Sequence, residues 1–303
     1  MRVAPEVATA LAEHRPVVAL ETSIVAHGLP HPQNLEAGHG CEEAIRNEGG
    51  VPAPVAVVRG ELRIGLRAGE LEALAAGGAR KVSARDLGAA LARGEDGATT
   101  VAATVRAAAL AGIRIMATGG IGGVHRGHPE DESADLAELA RSQVAVFCAG
   151  AKSILDLGRT RERLESLSVP LLGLGCDEMP AFYSKLSGYP VDARADSPEE
   201  MARILLASWQ TGSRGVVVGV PPPEELPEAA LMIEQAVKEA GPVRGPEATP
   251  WVLRRLAALS GGRSVEVNVK LAVNNARQAA RTAAAMARLE DPDGGPATPP
   301  RSA

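Results

Sequence analysis

The stretch TTVAATVRAAALAGIRIMAT, residues 99–118, decides the fold class because a helical pattern runs directly into a short β-type run. The same alternation recurs along the chain. Further β-type runs stand at 17–20, 54–58, 144–150, 170–175 and 214–221. Strands that alternate with helices indicate βα units and a parallel sheet covered on both faces. The sequence therefore predicts a three-layer α/β/α fold with a mainly parallel, mixed central sheet.

The helical patterns indicate one domain followed by a tail. Candidate helices lie at 34–48, 99–112, 153–167 and 197–209, the last with a capping box formed by Ser197 and Glu200. No linker or repeat period interrupts the alternation, so residues 1–289 are predicted to form a single α/β domain. Residues 290–303, EDPDGGPATPPRSA, are rich in Pro, Gly and small polar residues. This composition predicts a disordered tail after a last helix built around 274–289.

Composition argues against several classes of protein. The 303 residues carry a formal net charge of −5, no basic run and only 2% aromatic residues, which disfavours a nucleic-acid partner. No signal peptide and no run of about 18 apolar residues is visible, so a cytoplasmic protein with no membrane partner is expected. Cys41, Cys148 and Cys176 are far apart and form no C-x-x-C pair, which predicts small core residues rather than disulfides or a thiolate metal site.

Polar residues follow three of the predicted strands. Ligands of parallel α/β sheets bind outside the carboxyl ends of the strands, where Glu21, Thr118 and Lys152 stand. If these strands are neighbours, the three side chains converge on one rim. Glu21 in a half-buried loop can act as a general acid, or it is an ordinary hydrogen-bonded loop carboxylate.

Lys152 stands between an apolar strand and a predicted helix that begins near Ser153. Apolar surroundings and the positive end of a helix both disfavour an ammonium ion. A neutral lysine is the usual nucleophile for Schiff-base chemistry at a carbonyl carbon. The alternative is a lysine that snorkels to the surface or pairs with an acidic neighbour.

The glycine-rich stretch TGGIGGVHRG, residues 118–127, can close backbone N–H groups around an anion, with His125 and Arg126 as further donors. The alternative is a tight turn without a ligand. The chain contains no G-x-x-x-x-G-K-[ST] motif, so nucleotide phosphates are poorly supported.

The acidic stretch HPEDESADLAEL, residues 128–139, places Asp131, Ser133 and Asp135 at alternate positions before a helix. Their oxygens suit a hard divalent cation that keeps several waters, or they are ordinary helix caps. His27 and His31 stand four residues apart, but the intervening glycine and proline make a shared helical face and a zinc pair improbable.

Several long blocks together carry a family resemblance. VALETSIVAHGLPHPQN at 18–34, the stretch at 97–127, SADLAELARSQVAVFCAGAKSILDLGRT at 133–160 and LAVNNAR at 271–277 resemble, in order, the pseudouridine-5′-phosphate glycosidases, a family that includes indigoidine-synthase-A-like proteins. The resemblance covers Pro5 to about Arg281. It implies reversible cleavage of pseudouridine 5′-phosphate to uracil and ribose 5-phosphate by a cytoplasmic homotrimer.

The resemblance also implies roles for individual residues. Lys152 is implied as the nucleophile that forms a covalent Schiff-base intermediate, Glu21 as the proton donor, and Asp131 as the holder of Mn²⁺. The implied substrate-binding residues are Lys81, Val101, Thr118, Ser133, Ala134, Asp135 and Asn275.

Two other functions remain open from sequence. One is a different Schiff-base lyase or glycosidase that acts on a sugar phosphate, such as a relative in pigment biosynthesis. The other is a sugar-phosphate-binding protein without enzymatic activity. Borohydride reduction with substrate separates an enzyme from a binding protein, and the identity of the product separates the two enzymes.

Overall fold

A computed structural model describes residues 1–240 and 248–290. Its strands are β1 Arg2–Val3, β2 Val17–Leu20, β3 Val51–Val58, β4 Glu61–Ile64, β5 Arg80–Val82, β6 Gly97–Thr99, β7 Ile115–Ala117, β8 Val124–His125, β9 His128–Glu132, β10 Ala145–Cys148, β11 Leu155–Asp156, β12 Leu171–Leu174, β13 Ala193–Ala195 and β14 Val216–Gly219.

The α-helices are α1 Pro5–Ala12, α2 Gln33–Asn47, α3 Glu70–Ala75, α4 Leu87–Ala92, α5 Val101–Ala111, α6 Ala134–Leu139, α7 Leu157–Ser166, α8 Pro198–Gln210, α9 Ala229–Ala240, α10 Ala248–Leu259 and α11 Arg263–Glu290. Two short segments complete the set, a π-helical turn at Ile24–Gly28 and a 3₁₀ turn at Ala84–Asp86.

The central sheet has eleven strands and is mostly parallel. Its order is β1-β4-β3-β2-β7-β10-β14-β12-β13, with β6 on β3 and β5 on β6. All pairs from β3 through β2, β7, β10, β14 and β12 to β13 are parallel, whereas β3 is antiparallel to β4 and β6. The mixed, mainly parallel sheet predicted from the sequence is therefore confirmed.

Helices cover the sheet because its central strands are apolar on both faces. Every residue of β2, β7, β10, β12 and β14 is buried. Helix α11 packs against β2, β7 and β10 together with α2 and α8, while α5 packs against β2, β3 and β7. The result is one α/β domain, as the alternation of strands and helices predicts.

The last helix confirms the helix predicted at 274–289 and extends one residue into the predicted tail. Helix α11 includes the predicted 274–289 and ends at Glu290, the first residue of the predicted tail. Residues 291–303, where the rest of the disordered tail was predicted, lie outside the described residues. No helix in the described part of the chain has the length and apolar character needed to span a membrane.

Candidate active site

The loops after β2, β7 and β10 meet at one rim. These three strands are neighbours in the sheet, with β7 between β2 and β10. Glu21, Thr118 and Lys152 accordingly line the same small cavity, of about 50 Å³. The convergence predicted from the sequence is confirmed, and it follows from strand order and from the common direction of parallel strands.

The Glu21 carboxyl group is held in one orientation at this rim. Glu21 is 7% exposed, and its two oxygens accept hydrogen bonds from the hydroxyls of Ser23 and Thr118. Thr22 points away, since its hydroxyl donates to Val55 O at 2.7 Å. Glu21 is therefore a buried carboxyl group fixed beside an open cavity.

The backbone around Lys152 corrects one prediction. The helix expected near Ser153 begins only at Leu157, because the Asp156 side chain caps it by accepting from Arg159 N at 3.0 Å. Residues 153 and 154 form a turn, and β11 follows. The argument that a helix N-terminus acts on Lys152 is therefore wrong.

The apolar surroundings predicted for Lys152 are present. Ile24, Phe182 and Leu253 line the same small cavity as Lys152, along with the backbone of Gly119 and Gly120. Lys152 is itself anchored by its backbone, whose N–H donates to Ile121 O at 3.0 Å. A lysine in such a cavity can present its amine to a substrate in a partly desolvated setting.

Arg126 has a different function from the predicted anion donor. Its guanidinium donates to the backbone oxygens of Ser153 and Leu155, both at 3.0 Å. These bonds hold the turn that directly follows Lys152. Arg126 therefore contributes to the shape of the lysine loop.

The glycine-rich loop binds an anion that belongs to the protein itself. Gly122 N donates to the Asp135 carboxylate at 2.8 Å, and Ala102 N at the start of α5 donates to the same carboxylate at 2.9 Å. A Cβ on Gly122 would lie 2.2 Å from Ser133 Oγ, so only glycine fits there. Asp135 thus ties the loop after β7 to helix α5.

A larger polar cavity of about 250 Å³ adjoins the small one. Ser23, Lys81 and Lys152 line both cavities, so the two form one site with a less polar end and a polar end. The polar end brings together the predicted nucleophile Lys152 and many of the residues predicted to bind substrate or metal: Lys81, Asp131, Ser133, Ala134 and Asp135, with Thr100, Gly122, Gly123 and His125.

The predicted metal-binding stretch does not form a ligand trio. Ser133 caps α6 by accepting from Asp135 N, and the Asp135 carboxylate is occupied by two backbone N–H groups. Asp131 alone presents a carboxylate, with Oδ2 3.3 Å from His125 Nδ1 and a side chain that is 42% exposed. The described residues contain no cluster of three His, Cys, Asp or Glu side chains suited to a metal. These residues fit only a hard cation that Asp131 holds and that keeps most of its waters.

Val101 and Asn275 do not present side chains to the site. Val101, the first residue of α5, is 1% exposed in the core, and its neighbour Thr100 lines the polar cavity instead. Asn275 is completely buried and donates to Thr118 O at 2.8 Å and to Gly119 O at 3.3 Å. The Val101 side chain therefore lies in the core beside the site, and Asn275 supports the loop after β7 from behind.

Asn268 is a site residue that sequence reasoning missed. It lies on α11, is 4% exposed and lines the small cavity, and its Oδ1 is buried without a hydrogen-bond partner. A buried amide oxygen without a partner is costly, and a ligand donor can remove that cost. The signal was its position seven residues before Asn275, on the same face of the helix.

The cysteines are poor nucleophiles, and two of them are the core residues predicted from the sequence: Cys41 and Cys148 are buried, whereas Cys176 is only partly buried. Burial raises the pKa of the Cys41 and Cys148 thiols to about 12 and that of Cys176 to about 11. Their reactive thiolate forms are therefore scarce at neutral pH. Lys152 remains the candidate nucleophile of the site.

Comparison with known proteins shows the family of the chain. A family model described as indigoidine synthase A-like protein matches residues 6–285. The chain is 50% identical over 295 residues to the pseudouridine-5′-phosphate glycosidase of Deinococcus radiodurans, with 94% of each chain covered. It is 53% identical to the protein of the same name from Rhodospirillum centenum, covering 100% of this chain and 97% of the relative.

A solved structure extends the comparison to the fold. The crystal structure of the prealnumycin C-glycosynthase AlnA in complex with ribulose 5-phosphate superposes with a TM-score of 0.87 at 37% sequence identity. The match covers 95% of this chain and 97% of that chain.

Proposed function

Because the chain belongs to the indigoidine synthase A-like protein family, we propose that it reversibly cleaves the C–C glycosidic bond of pseudouridine 5′-phosphate to uracil and ribose 5-phosphate. The observation that carries this proposal is that Glu21 and Lys152 share one cavity, which opens into a polar cavity lined by Lys81. An acid and an amine beside a site for a charged group suit a sugar-phosphate substrate.

The reaction needs a nucleophile because the C–C bond has no good leaving group. Two-carboxylate hydrolysis relies on a departing oxygen, which this bond lacks. An amine that is covalently attached to C1′ can instead accept the developing positive charge as an iminium ion. We assign that amine to Lys152, which lines the small cavity.

The proposed reaction proceeds by proton transfer, amine addition, C–C cleavage and hydrolysis. Glu21 donates a proton to the ring oxygen as the sugar opens, or to the uracil side, and the Lys152 amine adds to C1′. The C1′–C5 bond then breaks, C5 of uracil gains a proton, and the nitrogen lone pair completes an iminium at C1′. Water adds to C1′ and releases ribose 5-phosphate with the free lysine, so one water is consumed overall.

The polar end of the site is proposed to hold the ribose phosphate. Lys81 supplies a point charge for the phosphate dianion, and Ser133 and Asp135 contact the sugar together with the backbone of Ala134. Asp131 would hold Mn²⁺ through one carboxylate and waters. When bound, the cation adds positive charge that offsets the charge of the phosphate.

The proposal extends to the state of the enzyme in the cell. The family resemblance suggests a homotrimer that acts in the cytoplasm. Light scattering after size-exclusion chromatography tests the trimer, since one chain has a mass of 31.2 kDa.

Two measurements test the proposed function. Uracil release from pseudouridine 5′-phosphate, followed by absorbance, should be rapid with the unmodified protein. Borohydride reduction during turnover should attach the ribose phosphate to Lys152, which peptide mass spectrometry identifies. Lys152→Arg keeps charge and length but cannot form a Schiff base, so it should abolish both signals. Lys185→Arg, on the surface, is the matched control and should change neither.

One specific observation favours a second candidate. The structural neighbour bound to ribulose 5-phosphate is named a C-glycosynthase, so the fold accommodates C–C bond formation on a sugar phosphate. Covalent trapping at Lys152 without uracil release would indicate this second class, a Schiff-base enzyme with another acceptor. Absence of both signals would indicate a binding protein.

A further inference from the structure

Phe182 adopts an unusual backbone conformation beside the site. Its φ angle is +65°, in the left-handed region that bulky side chains rarely occupy, and the residue is only 3% exposed. Such conformations persist only where the surrounding structure imposes them, and they concentrate at ligand sites. The strained position of Phe182 therefore calls for a functional explanation.

The loop around Phe182 contacts the loops that follow β7 and β10. Phe182 N donates to Ala149 O at 2.9 Å, just before Lys152. The ring packs on the backbone of Gly120, where an added Cβ would lie 2.7 Å from two ring carbons. Pro180 O approaches Gly150 so closely that a Cβ there would lie 1.8 Å away. These contacts fix the ring between the loops that follow β7 and β10.

Aromatic side chains are rare in this protein, and Phe182 is one of them. The chain has two Phe, two Tyr and two Trp. Among these six side chains, all within the described residues, Phe182 is the one that lines the small cavity with Glu21, Lys152 and Asn268. The other phenylalanine, Phe147, is completely buried in β10.

The two ends of the site indicate which part of the substrate lies beside the Phe182 ring. Lys81 and Lys152 line both cavities, so Lys152 lies where the two join. The polar cavity is the larger of the two and is also lined by Arg85, which suits the phosphate. A substrate with C1′ at Lys152 and its phosphate in the polar cavity must place its base at the less polar end. There Asn268 Oδ1, which has no hydrogen-bond partner, can accept from an N–H of the base, and Phe182 provides the aromatic part of the cavity wall.

We infer that Phe182 is a specificity-determining residue whose ring stacks on the planar pyrimidine base. This inference rests on the proposed function, because it takes uracil as the base. Stacking on an aromatic side chain depends on the π-face of the base and contributes about a tenfold gain in binding or more. If this position needed only an apolar side chain, leucine would serve as well as phenylalanine. Stacking on the base explains why the side chain is aromatic.

The test compares uracil with 5,6-dihydrouracil. Dihydrouracil keeps the N–H and C=O edge but loses the flat, conjugated C5=C6 face. Ligand-detected NMR titration gives Kd for both compounds with the full-length unmodified protein and with Phe182→Leu. We expect the unmodified protein to prefer uracil by about tenfold, and Phe182→Leu to bind the two compounds within about twofold of each other. Phe182→Tyr keeps a ring and should restore the preference.

The matched control is Phe147→Leu, the same change in the core. It should lower the melting temperature and leave the ratio of the two Kd values unchanged. An unchanged ratio in folded Phe182→Leu, or no preference in the unmodified protein, would overturn the inference. Because binding is measured without turnover, a protein that shows the preference but releases no uracil would contradict only the proposed reaction.

Discussion

Asp131 and Asp135, two carboxylates of the stretch DESAD, should differ in how much stability the protein loses when each is replaced by asparagine. Asp135 is 5% exposed and accepts from Gly122 N at 2.8 Å and from Ala102 N at 2.9 Å. In Asp135→Asn, one oxygen becomes an NH₂ group that faces a backbone donor. One charge-assisted hydrogen bond is lost and two donors oppose each other, which costs about 2–3 kcal/mol.

That cost should be visible in thermal unfolding. The entropy of unfolding of a chain of this length is about 0.6 kcal/mol per kelvin, so the melting temperature of Asp135→Asn should fall by about 4 °C. Asp131→Asn is the matched control, because the side chain of Asp131 is 42% exposed. Its melting temperature should change by less than about 1 °C.

The Mn²⁺ dependence of activity should instead respond to the substitution of Asp131. Asp131→Asn should bind Mn²⁺ more weakly and keep its fold, whereas Asp135→Asn should lose stability first. Calorimetry on both variants, with Mn²⁺ titrated into each, provides the data. A melting temperature of Asp135→Asn within 1 °C of the unmodified protein, or an equal fall in Asp131→Asn, would refute the assignment of Asp135 as the link between the glycine loop and α5.

Four further outcomes are expected. Chelation should remove uracil release and Mn²⁺ should restore it, with about tenfold more Mn²⁺ needed in Asp131→Asn; full activity after chelation would contradict the metal site. Unphosphorylated pseudouridine should have a kcat/KM at least about 100-fold lower, and Lys81→Ala should narrow this gap by slowing only the phosphorylated substrate. Thiol reagents at pH 8 should leave Cys148 unmodified, because the residue is completely buried and burial raises the pKa of its thiol far above that pH. Asn268→Ala should raise KM for uracil in the synthetic direction, whereas Asn275→Ala should chiefly lower the melting temperature.

The rim of the site was predictable because it follows from two simple rules. Continuous apolar runs mark strands buried on both faces, and β2, β7 and β10 are such strands. Residues that follow parallel strands meet at one edge of the sheet. Glu21, Thr118 and Lys152 could therefore be grouped from sequence without knowledge of their contacts.

Elements formed by tertiary pairing escaped the same rules. β9, HPEDE at His128–Glu132, carries no apolar alternation and is mostly exposed, yet it pairs with β8 in a small antiparallel sheet. β11 pairs with β8 from the other side, which delays the start of α7 to Leu157. Local sequence favours a helix from 153 onward, and the pairing partner that opposes it is 30 residues away.

The two asparagines of α11 show where sequence reasoning reaches its limit. Asn268 and Asn275 are seven residues apart, so both lie on the helix face that packs against the sheet. Two helical turns separate them by about 10 Å along the axis. That shift decides their environment: Asn275 meets the carbonyls of Thr118 and Gly119, while Asn268 reaches the open cavity. Periodicity predicts which face of a helix packs against the sheet but not where each residue lies along the sheet. Here that position separates a residue that supports a loop from one that can contact a ligand.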